Sequence, residues 1–451
     1  VNQVVRPDTA RRKSTTRFAI ELILVLIVVC VAVYLVLLRD LERTLKYRLD
    51  RLHAMGVPQS WAEVIPPPVP DEENAAVAYQ QAFRLLLRLR DQAGASSELG
   101  RAGGADQITD DERAVLDLLK EGAQRPHCRF PMSQAAISPD TDYDFLRGLS
   151  ASCRLLADEA SSALDGGRID EAVTLCRTGL RLSDQTARFS TETYFFTGTY
   201  QRMRILEALR QVLEQSELEG DTCRSLYEQL HEFEFDVTLR RAARNEVCRV
   251  LWCYEAIDRR ANEPRIILAD ERIGDRILHM RASKRFYLSP LARLLRLKEE
   301  IAHAELMEQE LPLSSMAYRD LRHHWPAISR KYDGLPKSYM MAHAFGPLTH
   351  PRTATRRDSA VATTNAMEIA LALKAYHARH HAYPDSLAAL RAYPGWELPE
   401  DPFSGKGFGY RRKEAGFVLY SWGEDLDDDG GRVLNYHVSP PDGDLVWEFK
   451  R

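Results

Sequence analysis

The chain has 451 residues, of which 45% are hydrophobic and 28% charged, with a formal net charge of −4. That is enough apolar material for two or three domains of roughly 150 residues each, and the balance of charge gives no electrostatic basis for a nucleic-acid partner. Its seven cysteines (Cys30, Cys128, Cys153, Cys176, Cys223, Cys248 and Cys253) contain no CxxC pair, which disfavours zinc and thioredoxin-like chemistry; disulfides cannot be paired from the sequence, and most of the seven read as small buried hydrophobes on helices.

The first residue is Val, as expected of a fragment or a processed chain. Phe18 to Leu38 is an apolar run with a single charge, Glu21. At 1.5 Å per residue it spans about 31 Å as a helix, the thickness of a bilayer's hydrocarbon core. It ends in Arg39-Asp40-Leu41-Glu42 with no small-residue cleavage site, so it reads as a permanent anchor. Arg6, Arg11, Arg12, Lys13 and Arg17 precede it against Asp8 alone. The short basic tail is therefore expected in the cytoplasm and the bulk of the chain outside, at the inner membrane of a bacterium. Phe18-Ala19-Ile20-Glu21-Leu22 is similar to the start of a type IV prepilin, but Arg17 stands where a Gly belongs and Glu21 comes one residue early. A Glu at the interfacial end of an ordinary anchor accounts for the pattern.

Residues 39–70 read as a juxtamembrane helix followed by a stiff connector at Pro66-Pro67-Pro68-Val69-Pro70. Asp71 is expected to cap a helix running to about Asp91, and Ala93 to Ala105 to form a Gly/Ala/Ser-rich loop. Thr109 with Glu112 is a capping box. Leu155, Leu156, Ala160 and Leu164 share a helical face, Gly166-Gly167 stop that helix, and Ile169 begins the next. This pair resembles one tetratricopeptide-type hairpin, and a peptide-binding superhelix would need about three such units. Helices are further predicted near 191–215, 222–234, 237–262 and 290–309, the last with an apolar stripe of Leu291, Leu294, Leu295, Ile301 and Leu306. Residues 71–350 thus form a helical, extracytoplasmic domain.

Catalytic signatures are scarce. The sequence contains no Gly-rich phosphate loop, no HExxH and no GxSxG. His377 and His381 lie at i, i+4, but no third ligand accompanies them, and His323-His324 is weaker. Arg240, Arg241, Arg244 and Arg249 share a helix with Glu246, as a solvated face does. A non-enzymatic role is expected. An envelope hydrolase drawing on Asp and His residues of the middle domain lacks a recognisable constellation.

The carboxy-terminal unit, 358–451, reads as α+β. Asp358-Ser359 is expected to cap a helix closed by Tyr383-Pro384, and short strands are predicted at Gly407–Arg412, Phe417–Ser421, Val433–Val438 and Leu445–Phe449. Between the second and third strands runs Glu424-Asp425-Leu426-Asp427-Asp428-Asp429-Gly430-Gly431. Asp425, Asp427 and Asp429 alternate and a glycine follows, the opening half of a calcium loop, yet loop position twelve is Tyr436 and not Glu. A full EF-hand is thereby disfavoured. A cation loop and a solvated acidic tip both remain open on these residues alone.

The order of elements carries a resemblance. Ala372-Leu373-Lys374-Ala375-Tyr376, Ala382-Tyr383-Pro384, Leu398-Pro399-Glu400-Asp401-Pro402-Phe403, Gly409-Tyr410 and Phe417-Val418-Leu419-Tyr420-Ser421-Trp422-Gly423 together resemble the globular domain of type II secretion major pseudopilins, over about residues 360–435. The resemblance implies a structural calcium ion held by Asp425, Asp427, Asp428 and Asp429, with the Ser421 carbonyl nearby. In pseudopilins the anchor helix runs directly into this domain. Here the helical middle domain separates Leu38 from Ala360, so the expectation is a reused folded cap and not a filament subunit. The whole reads as a mainly α, single-pass membrane protein with a structural or partner-binding role, or as an accessory of a secretion or pilus-like machine.

Overall fold

A computed structural model of the chain describes residues 9–93, 108–131, 139–260, 287, 289, 292–391, 395–435 and 441–450. The amino-terminal tail to residue 8, the Gly/Ala/Ser-rich stretch from 94, Pro290 and Leu291 lie outside the described residues. The fold is mainly helical, with one long apolar helix at the amino terminus and a small three-stranded sheet near the carboxy terminus.

Helix α1 (Thr9–Ala54) includes the apolar run and continues past it without a break. It is long and apolar enough to cross a membrane, and the side chains from Phe18 to Leu37 are almost all exposed, as a lipid-facing surface is. Its distal third is different. Leu52 is fully buried, and Arg48 and Arg51 pair with Glu308 at 3.2 and 2.5 Å. Gly56, at φ +87°, turns the chain into the short helix α2 (Trp61–Val64). The proline run that follows has no regular structure, and Arg129 fixes it by donating from Nε to the Pro66 carbonyl at 2.8 Å.

Helix α3 (Ala75–Ala93) starts later than Asp71 predicts. Asn74 sits at its entry, accepting from Ala76 N at 3.1 Å and Arg129 N at 2.8 Å. One amide thus caps the helix and binds a distant strand-like segment, which no local signal encodes. Helix α4 (Asp110–Gln124) opens on the expected capping box, with Thr109 Oγ1 accepting from Glu112 N and Glu112 accepting from Thr109 N. Helices α5 (Pro139–Asp165) and α6 (Ile169–Ala187) form the predicted hairpin, with Gly167 at φ +73° between them. Helix α7 (Glu192–Gln215) crosses α6 closely: a Cβ on Gly198 would lie 2.5 Å from Ala187 N. Helices α8 (Gly220–His231) and α9 (Phe235–Arg260) follow.

Helix α10 (Arg293–Glu310) corrects a sequence expectation. Leu306 is buried, but Leu294, Leu295 and Ile301 are only half-buried. The fully inward face carries Arg296, Leu297, Glu299, Glu300, His303, Ala304, Met307 and Glu310. Most of these polar groups have assigned tasks. Glu299 accepts from Met341 N and Ala342 N at 2.5 and 2.9 Å, at the start of α12 (Met340–Phe345). Glu310 accepts from Thr349 N at 2.9 Å, and His303 Nδ1 meets Tyr254 OH at 3.0 Å. Burial of Glu299, His303 and Glu310 is tolerated because each is hydrogen-bonded.

Helix α11 (Tyr318–Asp333) and helix α13 (Pro351–His380) are joined by a second correction. Asp358 does not cap its own helix, which begins at Pro351 with His350 and Thr353 as its capping box. Asp358 is fully buried and accepts from Tyr318 N at 2.7 Å, so it caps α11 instead. Helix α13 presents alanines at 360, 362, 366, 370, 372 and 375 to its neighbours, all buried, and packs against α7 and α8. Its core residues share one hydrophobic cluster with Tyr79, Leu156 and Leu180 of the bundle and with Phe403, Phe417 and Phe449 beneath the sheet.

After the short helix α14 (Ala388–Arg391), strands β1 (Gly409–Lys413), β2 (Gly416–Ser421) and β3 (Leu445–Lys450) pair antiparallel in the order β1-β2-β3. Phe417 and Leu419 are fully buried and pair with Phe449 and Trp447 across the β2–β3 ladder. The strand expected at Val433–Val438 is replaced by two isolated bridges, Val433 to Asp444 and Asn435 to Asp442, and residues 436–440 lie outside the described residues.

Candidate functional site

The β2–β3 connection carries the acidic run, and the sheet fixes both of its ends. Ser421 closes β2 opposite Leu445 of β3, so the chain leaves and re-enters the sheet at one place. Between them Leu426 stands at φ +67°, with Gly430 and Gly431 at +67° and +83°. A leucine in the left-handed region is a local strain. It reverses the backbone between Asp425 and Asp427 so that alternate carboxylates converge.

Asp425, Asp427 and Asp429 each offer a carboxylate oxygen within 4.8 Å of the others. Among the described residues no other group of three His, Cys, Asp or Glu gathers in this way. The histidines at 377, 380 and 381 therefore form no such cluster: His377 stacks on Tyr383 and His380 packs on Tyr376. Asp428 is turned aside, accepting from Gly430 N at 3.0 Å. The Ser421 hydroxyl donates to Asp401 at 2.6 Å, so this side chain serves the frame of the loop.

Backbone donors and Arg432 hold two members of the triad. Asp425 Oδ2 accepts from Gly443 N at 2.5 Å and its Oδ1 from Asp427 N at 3.4 Å. Arg432 binds Asp429 and reaches Asp442 at 2.7 Å, offsetting part of the negative charge. Partial burial raises the Asp425 carboxyl, with Asp427 adding like-charge repulsion, and burial beside Asp425 raises Glu424.

One acidic residue escaped the sequence reading. Asp444, from the far side of the loop, is fully buried and accepts from Gly431 N at 2.6 Å through Oδ2. Its Oδ1 and the Oδ2 of Asp429 are buried without a hydrogen-bond partner among the described residues. Burial first, then the charges of Asp428 and Asp429, push Asp444 up to about 6. An orphaned oxygen on Asp429, itself in the convergent triad, and another on the neighbouring Asp444 suit a hard cation, which prefers several oxygen ligands. The sequence signal available was Asp442-Gly443-Asp444, a second acidic turn ahead of the last strand.

Asp401 organises the same corner. It is 1% exposed and accepts from Phe403 N, Ser404 N and Trp422 N at 3.2, 3.0 and 3.3 Å besides the Ser421 hydroxyl. It ties the turn before β1 to the end of β2.

Comparison with protein-family models, with curated proteins and with solved structures found no match.

Proposed function

We propose that the chain is a membrane-anchored extracytoplasmic protein with a structural or partner-binding role, whose pseudopilin-like carboxy terminus is stabilised by calcium. The observation that carries this reading is the convergence of Asp425, Asp427 and Asp429 within 4.8 Å, with one buried oxygen of Asp429 and one of the neighbouring Asp444 left without a hydrogen-bond partner among the described residues. In this reading the Asp425, Asp427, Asp429 and Asp444 carboxylates hold the ion, Asp428 adds negative charge, and the Ser421 carbonyl lies at the loop's base. Bound calcium would neutralise a segment that otherwise repels itself, and thereby fix the β2–β3 connection. In this reading α1 is the anchor, and the basic residues before the apolar run support a cytoplasmic tail with the body in the periplasm of a bacterial inner membrane.

The test uses the full chain in detergent, melted with calcium and with chelator. A ligand at one hundred times its dissociation constant adds about 2.7 kcal/mol, so calcium should raise the melting temperature measurably. The Asp427→Ala/Asp429→Ala double variant should lose that difference. Coincident curves for the unaltered chain would remove the calcium site from the proposal.

A second reading, an accessory of a type II secretion or pilus-like machine, is favoured by the sequence of a long helix, a three-stranded antiparallel sheet and an acidic β2–β3 loop. Co-purification with secretion components supports it; an extracted chain that brings none of them down counts against it.

A further inference from the structure

A cavity of about 1220 Å³ opens between α1, α2, α9 and α10. One wall is a continuous face of α1: Glu42, Leu45, Lys46, Leu49, Asp50 and His53. The spacing i, i+3, i+4, i+7 makes this a single stripe along the helix. The stripe begins four residues beyond Leu38, or about 6 Å above the end of the apolar span. That is the depth of the headgroup layer, which adds roughly 5–7 Å to each side of the hydrocarbon core.

The opposite wall supplies charge and aromatic surface. Trp61, Trp252, Leu251 and Leu297 give it an apolar lining. Its two guanidinium groups are already satisfied. Arg293 pairs with Asp258 and with Glu42 at 3.1 Å, and Arg296 pairs with Asp258 at 2.7 Å and donates to the Ser289 carbonyl at 2.9 Å.

Glu300 is different. It lines the cavity and is only 9% exposed, yet it makes no hydrogen bond or ion pair among the described residues. Burial, reinforced by Asp258 and Glu255 and offset in part by the nearby Arg293 guanidinium, pushes its carboxyl up to about 8. A buried carboxyl facing an aromatic-lined cavity is matched by an organic ammonium group, which offers charge-assisted hydrogen bonds to the acid and a cation to the indole faces. Lys46, exposed on the α1 wall and without an ion pair among the described residues, supplies a positive charge to the same cavity.

We infer that this cavity binds the headgroup of an aminophospholipid from the adjoining leaflet, its ammonium against Glu300 and its phosphate toward Lys46. A zwitterionic headgroup satisfies both groups, Glu300 releasing its proton to solvent as the ammonium binds, whereas a free amine uses only Glu300 and an anionic headgroup only Lys46. The inference rests on α1 being a membrane anchor, which liposome flotation of the full chain tests separately.

The decisive experiment is native mass spectrometry of the delipidated full chain in detergent, incubated in turn with phosphatidylethanolamine, phosphatidylglycerol and spermidine. Phosphatidylethanolamine should be retained about ten-fold over phosphatidylglycerol, a difference of about 1.4 kcal/mol. Glu300→Gln, which keeps the side chain's shape, should bring it down to the phosphatidylglycerol level, and Lys46→Gln should weaken it in part. A thermal melt of each variant confirms that it is folded. Equal retention of the two lipids, undiminished retention by Glu300→Gln, or capture of spermidine in place of the lipid would each overturn the inference. A chain that floats with liposomes but shows no headgroup preference refutes the cavity assignment alone; a chain that does not float refutes the anchor as well.

Discussion

The hydroxyl of Ser421 donates to the buried carboxylate of Asp401 at 2.6 Å, across twenty residues of chain. This bond and three backbone donors make Asp401 the point where the pre-β1 turn and the end of β2 meet. Asp401→Ala would leave those donors buried and unmet, at about 1–3 kcal/mol for each that water cannot reach. The expected loss is about 3 kcal/mol or more by denaturant unfolding, against about 1–2 kcal/mol for Ser421→Ala. Equal losses from the two variants would mean that the backbone donors find other partners.

A second buried pair holds the helical bundle. Arg202 of α7 is 1% exposed and bonds Asp184 of α6, the Leu230 carbonyl of α8 at 3.1 Å and Thr364 of α13 at 3.3 Å. Its guanidinium also lies 5.1 Å from the Phe233 ring centre. Removing the arginine strands a carboxyl that burial already raises. Arg202→Met should cost about 3–5 kcal/mol. The double variant Arg202→Met/Asp184→Leu should recover much of that loss, because an apolar pair needs no desolvation of charge. Chemical denaturation of the single and double variants measures the coupling.

Glu300 gives the fold a pH dependence of its own. Its carboxyl sits at about 8 in the folded chain and at its ordinary value of 4.5 when unfolded. Between those values the folded state holds a proton that the unfolded state has lost, so this group's contribution to stability falls as pH rises from about 4.5 to 8. Glu300→Gln should therefore match the unaltered chain near pH 5 and exceed it at pH 8.5, by on the order of 1 kcal/mol or more. Melting curves without added lipid, at both pH values, make the comparison. A variant less stable at pH 8.5 would show that the carboxylate has a favourable partner there.

Local chemistry made parts of this fold legible. The Thr109–Glu112 capping box and the Gly166-Gly167 stop act within one helical turn, and both elements form where they are predicted. The apolar run from Phe18 is legible for the same reason. The caps expected at Asp358 and Asp71 do not form: Asp358 is taken by Tyr318 N, 40 residues away, and α3 is entered instead at Asn74, whose side chain is held by Arg129 N, 55 residues away. Helix α10 misled most. Its leucines suggested a core face, but the amides of Met341, Ala342 and Thr349 draw Glu299 and Glu310 inward. Periodicity weighs apolar residues and cannot see a buried acid's distant donors. In the acidic loop, the alternation of Asp425, Asp427 and Asp429 was readable, while the approach of Asp444 depends on the β2–β3 register.

Helix α1 passes from the exposed apolar run to the buried Leu52 with no proline, glycine or break between them. From Leu38 to Ala54 it rises about 24 Å, stiffly joined along that length to α10 by Arg48, Arg51 and Glu42. As an anchor it is a mast and not a tether. In the membrane-anchored reading proposed above, the body would not swivel freely above the bilayer, and tilt or rotation of the span would move the cavity wall with it.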